Sequence, residues 1–194
     1  MNHIKVFYDL ETTGLDVRKH SIIQLAGLIE IDDEVIEYFD FKIRPHPKAE
    51  LDPGALEINR TTPEELMEYP EMSLVLTEFK DLLKKYIDPF DRTQKAWLVG
   101  FNNRKVDDVF LRKYFELCGD PYFGSWFWSD SLDCVVLASQ YLIERRSGMH
   151  SFKLSAVASE LGILVDEDLI HEANYEIDLT RQIYRIVTNL EMEL

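Results

Sequence analysis

The sequence predicts an α/β fold with a mixed sheet, and three observations lead there. Segments rich in β-branched residues come first, as a hairpin-linked group. Short apolar runs then alternate with stretches of helical period, and no repeat or low-complexity tract breaks the order. In chain order, Ile4–Leu10 is a nearly continuous apolar run, as expected of a strand covered on both faces. Residues 21–31 and 35–44 are β-rich and meet at Asp32-Asp33-Glu34, which predicts a hairpin. The proline-rich residues 45–71 have no sustained period and read as a loop with short helical turns. Met72, Val75, Leu76, Phe79, Leu82, Leu83 and Tyr86 fall at helical spacing. A short apolar strand at 96–101 leads into a helix over about 104–117, and 126–130 is expected as a further strand. Helices are then expected over 132–142, over 154–161 with a stop at Gly162, and over about 174–190.

At 194 residues, 46% hydrophobic and 12% aromatic, the chain is expected to fold as a single domain over 1–194. Cys118 and Cys134 belong to no CxxC pair, so both read as free thiols of a reducing compartment. Residues 1–5 carry no apolar run, and no stretch could span a bilayer, so a cytoplasmic protein with no membrane partner is expected. The net charge of −15 opposes nucleic-acid binding, because phosphates repel an acidic surface. Composition alone favours a small-molecule or protein partner. An enzyme that grips a chain end through bound cations escapes that objection, and weak, non-processive binding to long duplexes would follow.

The chemistry begins on the first strand. Side chains two apart on a strand share a face, so Asp9 and Glu11 converge at its C-terminal end. Two adjacent carboxylates repel unless a cation lies between them, and Mg²⁺ or Mn²⁺ suits hard oxygen ligands. Thr12-Thr13-Gly14-Leu15 follows as a small-residue turn whose backbone can approach a ligand closely. A bare D-x-E is usually a solvated strand end; the full string Asp9 to Asp16 directly after an apolar strand is much rarer.

That string resembles the first motif of the DEDDh 3′→5′ exonucleases, a family of ribonuclease-H-like fold. The resemblance implies a mixed five-stranded sheet flanked by helices. It also implies that Asp9 and Glu11 ligate two divalent metal ions, and that Thr12, Thr13, Gly14 and Leu15 hold the 3′-terminal nucleotide with Leu15 against its base.

A second acidic site lies at Gly100-Phe101-Asn102-Asn103-Arg104-Lys105-Val106-Asp107-Asp108. At about 100° per residue, Val106, Val109, Phe110, Tyr114 and Leu117 form one helix face. Asp107 lies on the shoulder of that face, whereas Asp108 points to roughly the opposite side. Asp107 is therefore the candidate ligand and Asp108 is expected to be solvated. The stretch is similar to the family's second motif, which implies that Phe101, Asn102 and Asn103 help position the substrate strand. Asn103 could equally cap the helix.

In the third motif of the family, a histidine is followed five residues later by an aspartate. Here His171 is followed by Glu176. The resemblance gives His171 the role of general base, for which an imidazole of pKa about 6.5 is suited, and gives Glu176 the last metal position. Glutamate keeps the charge but adds a methylene. Asp178 is the alternative: on one continuous helix it shares His171's face, whereas Glu176 lies about 140° round. A helix starting nearer Asn174 favours Glu176. His3, His20 and His46 have no ligand spacing, His150 reads as structural or solvated, and Asp130-Ser131-Leu132 reads as a structural junction.

Together these features imply two-metal hydrolysis of single-stranded DNA or RNA from its 3′ end, yielding nucleoside 5′-monophosphates. Several family members are dimers, so a homodimer is compatible. The rival is a nucleic-acid-binding or protein-binding module that keeps the fold with a weakened metal site, supported by Glu176 and by the charge.

Overall fold

The structure is a computed structural model that describes residues 3–170 and 172–188. β1 (Ile4–Thr12) lies at the centre of a five-stranded sheet of order β3-β2-β1-β4-β5. β2 (Ile22–Ile31) and β3 (Glu34–Lys42) run antiparallel to their neighbours; β4 (Trp97–Gly100) and β5 (Leu132–Asp133) run parallel. The β2–β3 hairpin turns at Asp32 (φ 49°) and Asp33 (φ 70°). Two successive positive φ angles make the turn whose twist matches the strands, and aspartate tolerates them better than most side chains.

The apolar run of β1 is explained by cover on both faces. Ile4, Val6, Tyr8 and Leu10 enter one core with α3 (Met72–Leu83) and α4 (Asp107–Leu117). Phe7 enters the other, with α6 (Cys134–Tyr141), α7 (Leu154–Glu160) and α8 (Ala173–Val187). Asp9 and Glu11 follow the odd-numbered alternation and so emerge on the α8 side.

The loop over residues 45–71 holds α1 (Pro53–Ile58) and α2 (Pro63–Glu68). Asp52 and Thr62 supply the N-caps, each followed by proline in the first turn. Residues 126–130, expected as a strand, are not one. Trp126 ends the short helix α5 (Phe123–Trp126), and Phe127 makes only an isolated bridge to Ala96. Both rings are buried in the same core instead of alternating between faces. The fifth strand is instead Leu132–Asp133, where a helix start was expected, and Asp133 then caps α6 by accepting from the Val135 N–H at 3.0 Å. The end of the last helix near Leu190 falls outside the described residues.

α8 is anchored by a buried ionic network. Glu30 of β2, fully buried, accepts from Lys5 Nζ at 3.0 Å and from Arg181 Nε at 2.6 Å. Lys5 also reaches Asp33 at 2.7 Å. Burial pulls the Lys5 pKa down, but its hydrogen bonds to Asp33 and Glu30 outweigh that and hold it above the ordinary lysine value. Removing the shared carboxylate leaves two cations with reduced compensation. Glu30→Ala is therefore expected to lower unfolding stability by about 3–5 kcal/mol, measured by urea denaturation; a change within about 0.5 kcal/mol, the range of an ordinary surface substitution, would contradict this role.

Candidate active site

Four carboxylates from three distant parts of the chain come within electrostatic reach of one another near the C-terminal end of β1. Asp9 and Glu11 come from the strand and are partly buried; Asp107 comes from the first turn of α4 and is buried; Glu176 comes from the first turn of α8. Burial drives the Asp9 carboxyl well above the usual range, and Asp107, Glu11 and Glu176 add to the rise in that order. Glu11 is pushed up to about 7 by burial and by Glu176, with Lys42 acting against both. Asp107 is pushed up to about 7, chiefly by burial, then by Asp108 and Glu11, while its own backbone N–H opposes the rise. Burial first, and mutual repulsion second, disfavour the charged forms of these groups.

The donor set fits a hard divalent cation: every member is a carboxylate, and together they carry more negative charge than their surroundings neutralise. Among the described residues no group of three or more His, Cys, Asp or Glu side chains is placed so that it could hold a metal ion as it stands. The fit therefore rests on donor chemistry and on the electrostatic influence of these carboxylates on one another.

The two candidates on the last helix have different surroundings. α8 starts at Ala173, and Glu176 acts electrostatically on both Asp9 and Glu11. Asp178 instead accepts from the Tyr38 hydroxyl at 3.1 Å, over β3. His171 lies outside the described residues.

The expectation that Asp108 is solvated is corrected. Its Oδ1 accepts from Tyr8 Oη at 2.5 Å and from Asn103 Nδ2 at 3.1 Å, and its Oδ2 accepts from Ser131 Oγ at 2.5 Å. The expected helix face was misplaced. Val109 and Leu117 are exposed at 41% and 37%, while Phe110, Leu111, Tyr114 and Phe115 are buried. The buried face is thus centred near Asp107, and Asp108, about 100° away, lies on its shoulder beside Phe115.

The turn after Glu11 is held from below. Thr13 is buried, donates its hydroxyl to the Glu50 carbonyl at 2.8 Å, and accepts from the Ser21 N–H at 3.1 Å. Thr12 Oγ1 donates to the Gly14 carbonyl at 2.9 Å, and Asn59 Nδ2 donates to the Thr12 carbonyl at 3.0 Å. Gly14 is at φ +152°, and a Cβ there would lie 2.1 Å from the His20 ring, so only glycine fits. Leu15 is 81% exposed. It borders a cleft of about 370 Å³ that is also lined by Leu10, Glu11, Gly14, Ile58 and Val106. Glu11 also borders a second, polar cleft of about 230 Å³ with Gln24, Lys42, Asn59, Arg60 and Asn174.

Asn102 sits at φ 62° and donates its N–H to Asp133 at 2.9 Å, while Phe101 packs partly buried against the α8-side core. Asn103 is 1% exposed and caps nothing with its side chain; its amide donates to Asp108, and its Oδ1 has no hydrogen-bond partner. Lys42 went unnoticed in the sequence. Its signal is the strand register, in which Glu11 pairs with Gln24 and Gln24 with Lys42.

The exonuclease family model named for RNase T matches residues 6–184. The chain belongs to this exonuclease family. Its acidic set and order are those of the DEDDh branch, with glutamate at the fourth acidic position. Among curated relatives, the PolC-type DNA polymerase III of Mycoplasmopsis pulmonis is 25% identical over 179 residues, which cover 92% of this chain and 11% of that protein. That of Staphylococcus haemolyticus is 38% identical over 76 residues, or 39% of this chain and 5% of that protein. This exonuclease chain thus spans a small fraction of those polymerases. The fold is shared with E. coli exonuclease I. In its complex with a dT13 oligonucleotide the TM-score is 0.73 at 21% identity, covering 95% of this chain and 41% of that one. In its zinc-bound complex with single-stranded DNA the TM-score is 0.77 at 20% identity, covering 97% and 41%.

Proposed function

We propose that this chain is a divalent-metal-dependent 3′→5′ exonuclease that hydrolyses single-stranded nucleic acid to nucleoside 5′-monophosphates, with residues 1–194 acting as one exonuclease domain. The observation that carries this reading is the gathering of Asp9, Glu11, Asp107 and Glu176 into one under-compensated acidic group beside an open cleft. Family membership supports hydrolysis of a nucleic acid. The oligonucleotides bound by the fold's structural neighbours support a single-stranded substrate.

In this reading the four carboxylates hold two ions, Mg²⁺ or Mn²⁺. What such ions supply when bound is a lowered pKa for water and charge neutralisation on the attacking and departing oxygens. The chain does the rest. Leu15, exposed at the mouth of the apolar cleft, packs against the terminal base, and the Thr12–Gly14 backbone, held by the Asn59 amide and the Thr13 hydroxyl, sets where that nucleotide stops. His171 accepts the proton of the attacking water on an imidazole nitrogen. Water adds to phosphorus, the bond to the neighbouring nucleotide's O3′ breaks, and the shortened strand regains a 3′-hydroxyl.

The test uses single strands of DNA and RNA labelled at the 5′ end, with Mg²⁺, with Mn²⁺, and with chelator. A ladder shortening by single nucleotides from the 3′ end, abolished by chelator, is expected. Internal cleavage, or activity indifferent to chelator, would overturn the reading.

A further inference from the structure

We propose that Asp108 is a positioning residue: its carboxylate ties the first turn of α4 to β1 and to the approach to β5, and so fixes the direction in which Asp107 points. This rests on the reading of Asp9, Glu11, Asp107 and Glu176 as a cation site.

The Asp107 carboxylate is reached by its own backbone N–H and that of Leu10, but the first turn of α4 has no side-chain cap. Its N-cap is Val106, at φ −125° and ψ −71°, with no side-chain cap hydrogen bond, and the 3₁₀ turn Asn103–Lys105 before it also lacks one. A helix start of this kind leaves its orientation to tertiary contacts. Asp108 supplies them. Its donors come from three separate places: Tyr8 of β1 at 2.5 Å, Asn103 of the preceding turn at 3.1 Å and Ser131 just ahead of β5 at 2.5 Å. Tyr8 is the neighbour of Asp9, and Asp108 the neighbour of Asp107. The Tyr8–Asp108 hydrogen bond therefore couples the two segments that each present a carboxylate to the site. Partners behind a ligand in this way set its orientation.

All three donors are neutral, so the link depends on hydrogen-bond geometry rather than ion pairing. An asparagine at this position could keep it. Its Oδ1 would accept from Tyr8 and Asn103, and its amide would donate to Ser131, whose hydroxyl can turn to accept. An alanine could make none of these contacts.

The experiment measures Mn²⁺ binding to the full, substrate-free chain by the electron paramagnetic resonance signal of free Mn²⁺, with kcat and KM on a 5′-labelled single strand. Asp108→Ala is expected to weaken Mn²⁺ binding about 10–100-fold and to lower kcat with little change in KM. Asp108→Asn is expected to stay within about threefold of wild type, less than the worth of one ordinary hydrogen bond. Equal Mn²⁺ affinity in Asp108→Ala and wild type, or equal losses in the alanine and asparagine variants, would overturn the inference. If Asp108→Ala does not fold, Tyr8→Phe and Ser131→Ala decide. Each is expected to weaken Mn²⁺ binding several-fold, about one hydrogen bond's worth, and unchanged affinity in both overturns the inference. A wild-type chain that binds no Mn²⁺ is a distinct result: it removes the cation site and this inference with it.

Discussion

Asp9→Asn is expected to abolish Mg²⁺-dependent mononucleotide release, a loss of at least about a thousandfold, while leaving the protein folded. Burial and three neighbouring carboxylates all disfavour the charge of Asp9. Replacing the carboxylate with a neutral amide of the same shape keeps the strand's packing but removes a hard anionic ligand. The same change is expected to raise the melting temperature of the metal-free protein at pH 8, because a buried charge without a counter-ion disappears. Activity lost together with stability would mean that Asp9 serves the fold instead. The assay pairs mononucleotide release with thermal melts in chelator.

The second large effect is on stability as a function of pH. Glu11 and Asp107 both titrate near 7 when folded, against ordinary values of 4.5 and 3.8. A raised carboxyl pKa means that the folded state binds the proton more tightly than the unfolded state. Stability therefore falls as pH rises from the ordinary values of 3.8 and 4.5 to about 7, and the loss is complete above that. For Glu11 alone the shift corresponds to roughly 3 kcal/mol. The lowered pKa values of Asp33 and Asp120, each bonded to a lysine, act in the opposite sense at acid pH. Metal-free protein is accordingly expected to be most stable near pH 4, between these opposing effects, and to melt roughly 6–10 °C lower at pH 8. Millimolar Mg²⁺ should restore most of the difference at pH 8 and little at pH 5. Self-repulsion at a net charge of −15 pushes the same way, and Glu11→Gln separates the two causes. If the site dominates, the slope flattens in that variant; if it persists unchanged, general repulsion is responsible.

What could be read in advance depended on how local each signal was. β1 and the acidic pair were legible because a two-residue period places Asp9 and Glu11 on one face whatever surrounds them. The hairpin was legible because Asp32 and Asp33 tolerate the backbone that such a turn requires. Asp107 was singled out, but from a helix face that included Val109 and Leu117, whereas packing buries Leu111 and Phe115. Periodicity gives a stripe, and only the partner surface decides which side of it is covered. The same shift turned Asp108 from a solvated residue into one with three donors. Glu176 and Asp178 could not be separated until the start of α8 and the position of Tyr38 were known, since one turn of helix decides which carboxylate faces β1. The short β5 carried no signal of its own: two residues cannot display a period, and the bulky aromatics just before it drew the expectation to residues 126–130.

The longer side chain at Glu176 is where an active enzyme and a binding module with a weakened site diverge. The deciding measurement is Mg²⁺-dependent turnover of a 5′-labelled single strand by the wild-type chain beside Glu176→Asp. The account predicts that the wild type itself generates the single-nucleotide ladder, and that shortening the side chain changes its rate without creating the activity. A silent wild type that gains a ladder only on Glu176→Asp would contradict it, and would make this chain a binder on an exonuclease scaffold.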